Sequence, residues 1–489
     1  MTKGAVALVL HAHLPYVRSA QPGSLEEDWF FQALIECYLP LLETLELASA
    51  DPHQQPKLTI GLSPTLLSLL SDQDLKQRFP AWLNERLDLL PKADPSLRAG
   101  AEHLAATIER HRRAWQSCDG DLIQRFAALQ RLGVVDLLTC GATHGYLPLL
   151  RHHPEAVRGQ LRTAVREHQR LVGERPLGIW LPECAYYEGL DRWMRDAGLR
   201  YAVLDGHGLL HGRPRPRYGV YAPICSRNGV AFFGRDSDAT LPVWSAKDGY
   251  PGDPHYREFH RDLGWDLPIE ELKPLGLDQP RPLGLKLHRV TDHSAPLDRK
   301  RPYEPGVAAE RVKEHAADYL QGRRRQLDQL SAAMDVSPLL VAPFDAELFG
   351  HWWFEGPAFL SQLFQQAPQE GVAFTRLRDV LNNVGQLQLC DPCPSSWGQG
   401  GYHDYWLNDS NAWIIPEWEK ASAAMVQRCS RGVGSEQAMQ WLQQAARELL
   451  LAQSSDWSFI LRAGTTTELA KERVQRHLGR FWQLMQAID

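Results

Sequence analysis

The sequence predicts an α/β protein built on a TIM-like barrel. Three observations carry this. Short apolar runs alternate with longer stretches of helical periodicity, seven or eight times as far as about Leu387. The runs are apolar throughout, as in parallel strands covered on both faces. Each run ends in His, Glu, Asp or Arg, so the polar residues gather at one end of the sheet, where barrels hold their chemistry.

Ala5 to Leu10 (AVALVL) is the first strand and ends in His11-Ala12-His13. Glu26 to Leu47 has helical spacing, with Trp29, Phe30, Leu34, Cys37, Tyr38, Leu41 and Leu45 on one broad face. Lys57 to Leu62 is the second strand, stopped by Ser63-Pro64. Residues 71 to 132 are helical and charged, too long for a single crossover, and are expected to form a helical insertion. Val134 to Thr139 is the third strand and leads to Gly141-Ala-Thr-His144. A helix follows over Val157 to Val172.

Pro176 to Leu181 is the fourth strand. Leu177, Ile179, Trp180 and Leu181 make it apolar, and Pro182, with no N–H to give, ends it immediately before Glu183. Leu190 to Ala197 is a helix closed by Gly198. Tyr201 to Leu204 is a strand ending at Asp205-Gly-His207. Gly229 to Phe233 is another, ending at Arg235-Asp236, and Leu283 to His288 is read as a further one. Gly306 to Met334 is a long helix. Leu339 to Phe344 (LLVAPF) is the last strand and ends in Asp345-Ala-Glu347. The expected division is a barrel over 1–70 and 133–387, the insertion over 71–132, and a C-terminal helical domain over 388–489.

Composition narrows the function. The chain has 489 residues, 44% hydrophobic and 23% charged, with a net charge of −6. That balance offers no basic patch for nucleic acid. No run reaches the ~18 apolar residues of a membrane span. Lys3 precedes an apolar stretch too short for a leader, and His11 and His13 interrupt it, so a cytoplasmic protein is expected. The eight cysteines are scattered, and Cys140 and Cys184 sit inside apolar runs, which favours reduced core thiols. Cys390 and Cys393 form a single CxxC without the second pair that zinc requires. The 16 Trp are unusual and suggest that some line a groove, where aromatic faces stack on sugar rings.

His11 and His13, two apart at a strand end, point to the same side. They suit either of two chemistries. One is a metal site with Glu183, His207 and Asp345, as in metal-dependent barrel hydrolases. The other is hydrogen bonding to a polyhydroxylated substrate. Asp345 and Glu347 are again two apart, beside His351, Trp352 and Trp353, and carboxylates are seldom buried without partners. Glu183 and Asp345, 345 − 183 = 162 positions apart, would face each other across one cleft. Two carboxylates in a Trp-lined cleft are the minimum apparatus of a glycosidase, roughly 5–5.5 Å apart in a retaining one.

Several motifs add a resemblance. His11 to Arg18 (HAHLPYVR), Gly141 to Leu150 (GATHGYLPLL), Trp180 to Tyr187 (WLPECAYY) and Ala342 to Pro357 (APFDAELFGHWWFEGP) resemble the ordered motifs of glycoside hydrolase family 57, in particular its 1,4-α-glucan branching enzymes. Val243 to Asp262, Ser395 to Asn408 and Ser454 to Ile460 are similar too. The resemblance implies a distorted (β/α)7 barrel, a retaining mechanism, no metal and no other cofactor. It implies Glu183 as nucleophile and Asp345 as general acid/base. It sets His11, His13 and His144 around the reacting sugar, with Trp265, Trp397, Trp406 and Asp456 lining an acceptor groove and Glu347 in support. Trp352, beside the Asp345 strand end, joins the expected substrate-binding residues.

The implied reaction cleaves an α-1,4 bond of an α-glucan and passes the chain to a 6-hydroxyl; with water as acceptor it is an amylase. Two departures from the family pattern stand out. Tyr187-Glu188 replace the usual Arg-Pro, and the segment Gly234 to Leu241, where branching members carry a mobile loop with an aromatic near its tip, has none.

Overall fold

The computed structural model describes residues 4–19, 22–245 and 247–488; Lys3 and Ala246 lie outside them. Seven parallel strands form the barrel: β1 (Ala5–Ala12), β2 (Leu58–Leu62), β3 (Val135–Leu138), β4 (Gly178–Ile179), β5 (Tyr201–Leu204), β6 (Ala231–Gly234) and β7 (Leu339–Asp345). Their spatial order is β7-β1-β2-β3, then β4-β5-β6, the two runs being joined by the bridge from Thr139 to Ile179. This is a (β/α)7 barrel.

It is distorted at two places. β4 is a two-residue strand, because after Trp180 donates to the Thr139 carbonyl the pairing ends as the chain turns at Pro182, which has no N–H to give. Gly178 has to be glycine there: an added Cβ would lie 2.3 Å from the Tyr201 ring and 2.5 Å from Leu138. The β6–β7 seam is the second. The Asp236 amide donates to the Val341 carbonyl across it, and the hairpin strand Ile224–Cys225 fills its lower end beside β6.

The expected strand at Leu283 to His288 is not formed. Leu283, Leu285 and Leu287 are buried alternately, which imitates a strand pattern. Their backbone bonds go instead to single partners, such as the Asp262 carboxylate for Leu283 and Gly284. Leu177 also departs from expectation. It is 41% exposed, while Ile179, Trp180 and Leu181 are fully buried.

Alternation along the strands decides what points inward. Ala7 and Val9 of β1, Tyr201 and Val203 of β5, and Leu339 and Val341 of β7 fill the barrel. The same parity carries His11 and Asp345 inward at the carboxyl ends, and the two are register partners. Outside the barrel there are two larger cores. Helices Gln73–Leu89, Arg98–Gln116 and Leu122–Arg131 share one of them with the outer faces of β1, β2 and β7. Helices Ile414–Arg431, Glu436–Ala452, Ser455–Ala463 and Thr467–Ile488 share the other with β4, β5 and the helix Pro154–Val172. Both helical groups are therefore packed onto the barrel through continuous apolar cores. No helix among the described residues is long and apolar enough to cross a membrane.

Candidate active site

Three histidines stack at the mouth of the barrel. The His11 ring lies on Trp180, centroids 4.8 Å apart, and His144 lies on His13 at 3.9 Å. Gly61 of β2 makes room, since a Cβ there would come within 3.3 Å of both His11 and Trp180. His11 Nε2 and His144 Nε2 are 3.0 Å apart, so one proton lies between them. Burial pushes both imidazoles well below their ordinary range, helped by the neighbouring histidines. His13 differs. Burial opposes its charge, but Asp456, 3.0 Å from Nε2, with Glu347 and Glu183 behind, outweighs burial and raises it. The same contact holds Asp456 down at about 2, against its own desolvation.

Glu183 sits on the tight turn Pro182–Cys184 with φ +63°, and His144 has φ +56°. Side chains rarely adopt this left-handed region, and holding one there costs about 1–3 kcal/mol. The turn aims the carboxylate back into the cleft. The Trp397 indole N–H donates to Oε2 at 2.8 Å, and the Ser455 hydroxyl donates to Oε1 at 3.3 Å. His144 Nδ1 lies 2.7 Å from the same hydroxyl. Burial lifts Glu183 to about 7, with the two donors and His13 pulling the other way.

Asp345 ends β7 and remains partly exposed to the cleft. No hydrogen bond reaches its carboxyl among the described residues. Burial pushes it well up, and the carboxylates of Glu347 and Glu183 add to this, with Arg235 opposing. Glu347 accepts from the Tyr38 hydroxyl at 2.5 Å and from the His13 amide at 3.0 Å. It too is lifted by burial to about 7.

The structure thus brings Glu183, His11, His13, His144, Trp397 and Asp456 into one direct network, with Asp345 facing it. Trp406 stands apart from expectation. It is 1% exposed and stacked on Tyr146 at 4.5 Å, so its faces are taken up in the core and none is free for a sugar. Trp265 and Trp352 are surface residues, 50% and 44% exposed. The segment Gly234 to Leu241 is no loop: Asp236 caps a helix over Ser237–Trp244. Its last residue, Trp244, packs beside Trp397 with ring centroids 5.8 Å apart.

His207 belongs elsewhere. It pairs with Asp205 and the Gly401 carbonyl, so the five-residue metal layout does not assemble around it. Two other groups have donor atoms within 4.8 Å of one another: His11, Cys140 and His144, and His13, His144 and Asp456. Both nitrogens of His13 and of His144 are already engaged, by Ser63, Asp456, His11 and Ser455. All eight cysteines are free thiols.

Sequence reasoning missed Ser455, Trp180, Tyr38 and Arg235 as parts of the site. Trp180 had a signal, being the last aromatic before the Pro182 turn. Ser455 lay inside the Ser454 to Ile460 motif, beside Asp456, but nothing marked it out from its neighbours; Tyr38 had no signal, because its role arises from a contact 309 positions away.

Fold and site define a class: a seven-stranded barrel with carboxylates from two strand ends in an aromatic, histidine-lined cleft. The chain belongs to glycosyl hydrolase family 57, whose model matches residues 7–391. Residues 417–489 match the C-terminal model of 1,4-alpha-glucan branching enzymes. A 1,4-alpha-glucan branching enzyme of Thermococcus kodakarensis is 32% identical over 99% of this chain and 73% of its own. Among solved structures, the alpha-amylase AmyC from Thermotoga maritima superposes with a TM-score of 0.91 at 35% identity, over 99% of this chain and 93% of the other. A family 57 branching enzyme from Pyrococcus horikoshii gives 0.88 at 31%, over 99% and 94%.

Proposed function

We propose that the protein is a retaining 1,4-α-glucan branching enzyme, with Glu183 as nucleophile and Asp345 as general acid/base. The observation that carries the roles is the unequal environment of the two carboxyls. Burial and the Asp456 carboxylate lift Glu183 to about 7, while two hydrogen-bond donors and His13 pull it back toward its anion. Among the described residues Asp345 receives no donor; burial and then the Glu347 and Glu183 carboxylates favour its neutral acid, with Arg235 opposing.

Glu183 attacks the anomeric carbon of an α-1,4-linked residue as Asp345 gives its proton to the departing oxygen. The C1–O4 bond breaks and a glucosyl ester on Glu183 forms. Asp345, now ionised, takes the proton of an incoming 6-hydroxyl, whose oxygen displaces Glu183 and forms an α-1,6 bond. The His11–His144 pair, bonded to each other and through His144 to Ser455, holds the Ser455 hydroxyl that donates to Glu183. Relatives named as branching enzymes and a branching-type C-terminal match support transfer to a sugar over transfer to water. The Thermotoga α-amylase keeps the second reading in play: the same site with water as acceptor.

Incubation with amylose, followed by debranching, tests this. Reducing ends are counted before and after debranching. New α-1,6 linkages with no rise in reducing ends beforehand are the expected result. A steady rise with no new branches would make the protein an amylase.

A further inference from the structure

One helix breaks its own geometry behind the catalytic cluster. Leu25–Ala33 and Leu39–Ala50 are α-helical, and between them Leu34–Tyr38 widens into a π-turn. Such turns are rare and are found frequently at functional sites. Consecutive residues of a regular helix do not face one another's partners. Here three in a row reach one segment, the stretch that follows Asp345. The Glu36 carboxylate holds His351 Nδ1 at 2.6 Å, the Cys37 thiol donates to the Ala346 carbonyl at 3.0 Å, and the Tyr38 hydroxyl donates to Glu347 at 2.5 Å. Glu36 is itself held by Arg257 at 2.7 Å.

Of the three contacts, only that of Tyr38 ends on a carboxylate. Glu347 is buried, and its Oε1 accepts twice, from Tyr38 and from the His13 amide. Both donors favour the anion over the acid. Tyr38 keeps its own proton: burial, then the Glu347 carboxylate, push the phenol well above its ordinary range. Around Glu347 stand Tyr38 and Cys37 from the helix, His13 past the end of β1 and Asp345 from β7. Around Asp345 stand Glu347, Glu183 from the β4 turn, Tyr38, and Arg235 past the end of β6. After burial, Glu347 has the largest influence on Asp345. A carboxylate kept ionised beside a second carboxyl makes the second hold its proton. Tyr38 is fully buried, so it reaches the cleft through Glu347 rather than by touching a substrate.

We propose that Tyr38 is a positioning residue for the reaction: it holds the Glu347 carboxylate against Asp345, so that Asp345 keeps the proton it must give to the departing oxygen. This role rests on Asp345 as the acid/base, as given above, and adds how its proton is retained. The proton still passes from Asp345 to the leaving oxygen, and that of Tyr38 stays where it is.

The pH dependence of kcat/KM on amylose tests this, because its basic limb reports loss of the acid's proton in the free enzyme. Tyr38→Phe keeps the ring and removes the hydroxyl. Glu347 then loses a donor and takes up a proton more readily, and Asp345 loses a like charge beside it. The basic limb should move to lower pH, with little change on the acid side. A limb displaced by one unit lowers kcat/KM about 10-fold on its alkaline side. Glu347→Gln should displace the limb at least as far. Since Tyr38 works through Glu347, the double variant should show no displacement beyond that of Glu347→Gln. A uniform loss in Tyr38→Phe with the limb in place would make Tyr38 a packing residue and overturn the proposal. So would a Tyr38→Phe displacement that persists in full in the Glu347→Gln background. Asp345→Asn separates this from the reading beneath it. If the parent's basic limb survives in Asp345→Asn, the limb is not that of Asp345, and the acid/base assignment falls together with the role of Tyr38. A limb that vanishes there but stays in place in Tyr38→Phe overturns Tyr38 alone.

Discussion

The indole N–H of Trp397 donates to Glu183 Oε2 at 2.8 Å, joining a residue of the loop beyond the barrel to the carboxylate on the β4 turn, 214 positions earlier. The bond stabilises the anion of a carboxyl that burial alone would keep protonated. Trp397→Phe keeps the ring and removes the donor. A hydrogen bond to a charged group contributes about 1.5–3 kcal/mol, so kcat should fall roughly 10- to 100-fold. Losing a donor to the charged form raises a pKa. The acid limb of the pH–rate profile should therefore move to higher pH, and a limb that stays in place would refute the role.

Glu183→Gln and Asp345→Asn should both lose activity on amylose, by different routes. The first leaves no ester-forming group and should abolish turnover while preserving glucan binding. The second removes acid/base assistance, which contributes about 10²–10⁴-fold. Trapping with a substrate bearing a good leaving group separates them: Asp345→Asn should accumulate a glucosyl ester on Glu183, seen by mass spectrometry of the intact protein. Residual ester in Glu183→Gln would refute the nucleophile assignment.

The Asp456–His13 pair sets a pH window for stability. The carboxyl of Asp456 is held at about 2 against 3.8, so its contribution is present above about pH 4 and lost as pH falls through 2. His13 is raised, so its share is present at and below its ordinary range and lost as pH rises through the elevated value. Asp456→Asn should cost about 2 kcal/mol near pH 5, a difference that shrinks toward pH 2 in urea unfolding. A difference independent of pH would show that the pair is not the source.

Trp244, on the helix after β6, packs on Trp397, whose indole holds Glu183. Trp244→Ala should open the Trp397 side to water and raise the reducing ends released per new branch several-fold. An unchanged ratio would mean that water is kept out elsewhere. Chelation should leave activity unaltered, because the ring nitrogens of His13 and His144 are committed to protein partners; a loss restored by zinc would contradict this.

Much of this was legible in the sequence, because strand parity is local. Ala7, Val9 and His11 alternate along one strand, with His13 just past its end, and Leu339 through Asp345 does the same, so the inward residues can be counted off. The Pro182 stop identified Glu183, though not the left-handed backbone that aims it. What failed did so for tertiary reasons. Leu283, Leu285 and Leu287 alternate like a strand, but their backbone bonds go singly to Asp262, Leu263 and Tyr303 and make no continuous ladder. Trp406 sits in an aromatic-rich motif, yet Tyr146, from another part of the chain, covers it. Ser455 looks like any helix-opening serine until the helix docks on His144 and Glu183.

The docking of the Ser455–Ala463 helix also bears on the order in which the protein comes into being. Glu183 and Asp345 leave the ribosome long before Ser455 and Asp456, and until that helix arrives His13 has no Asp456 carboxylate and Glu183 lacks one of its two donors. A growing chain thus carries both carboxyls for the 455 − 345 = 110 residues between Asp345 and Ser455 without these partners. With the proposed roles, competence to cut a glucan is expected only once the helices that grip the barrel have folded.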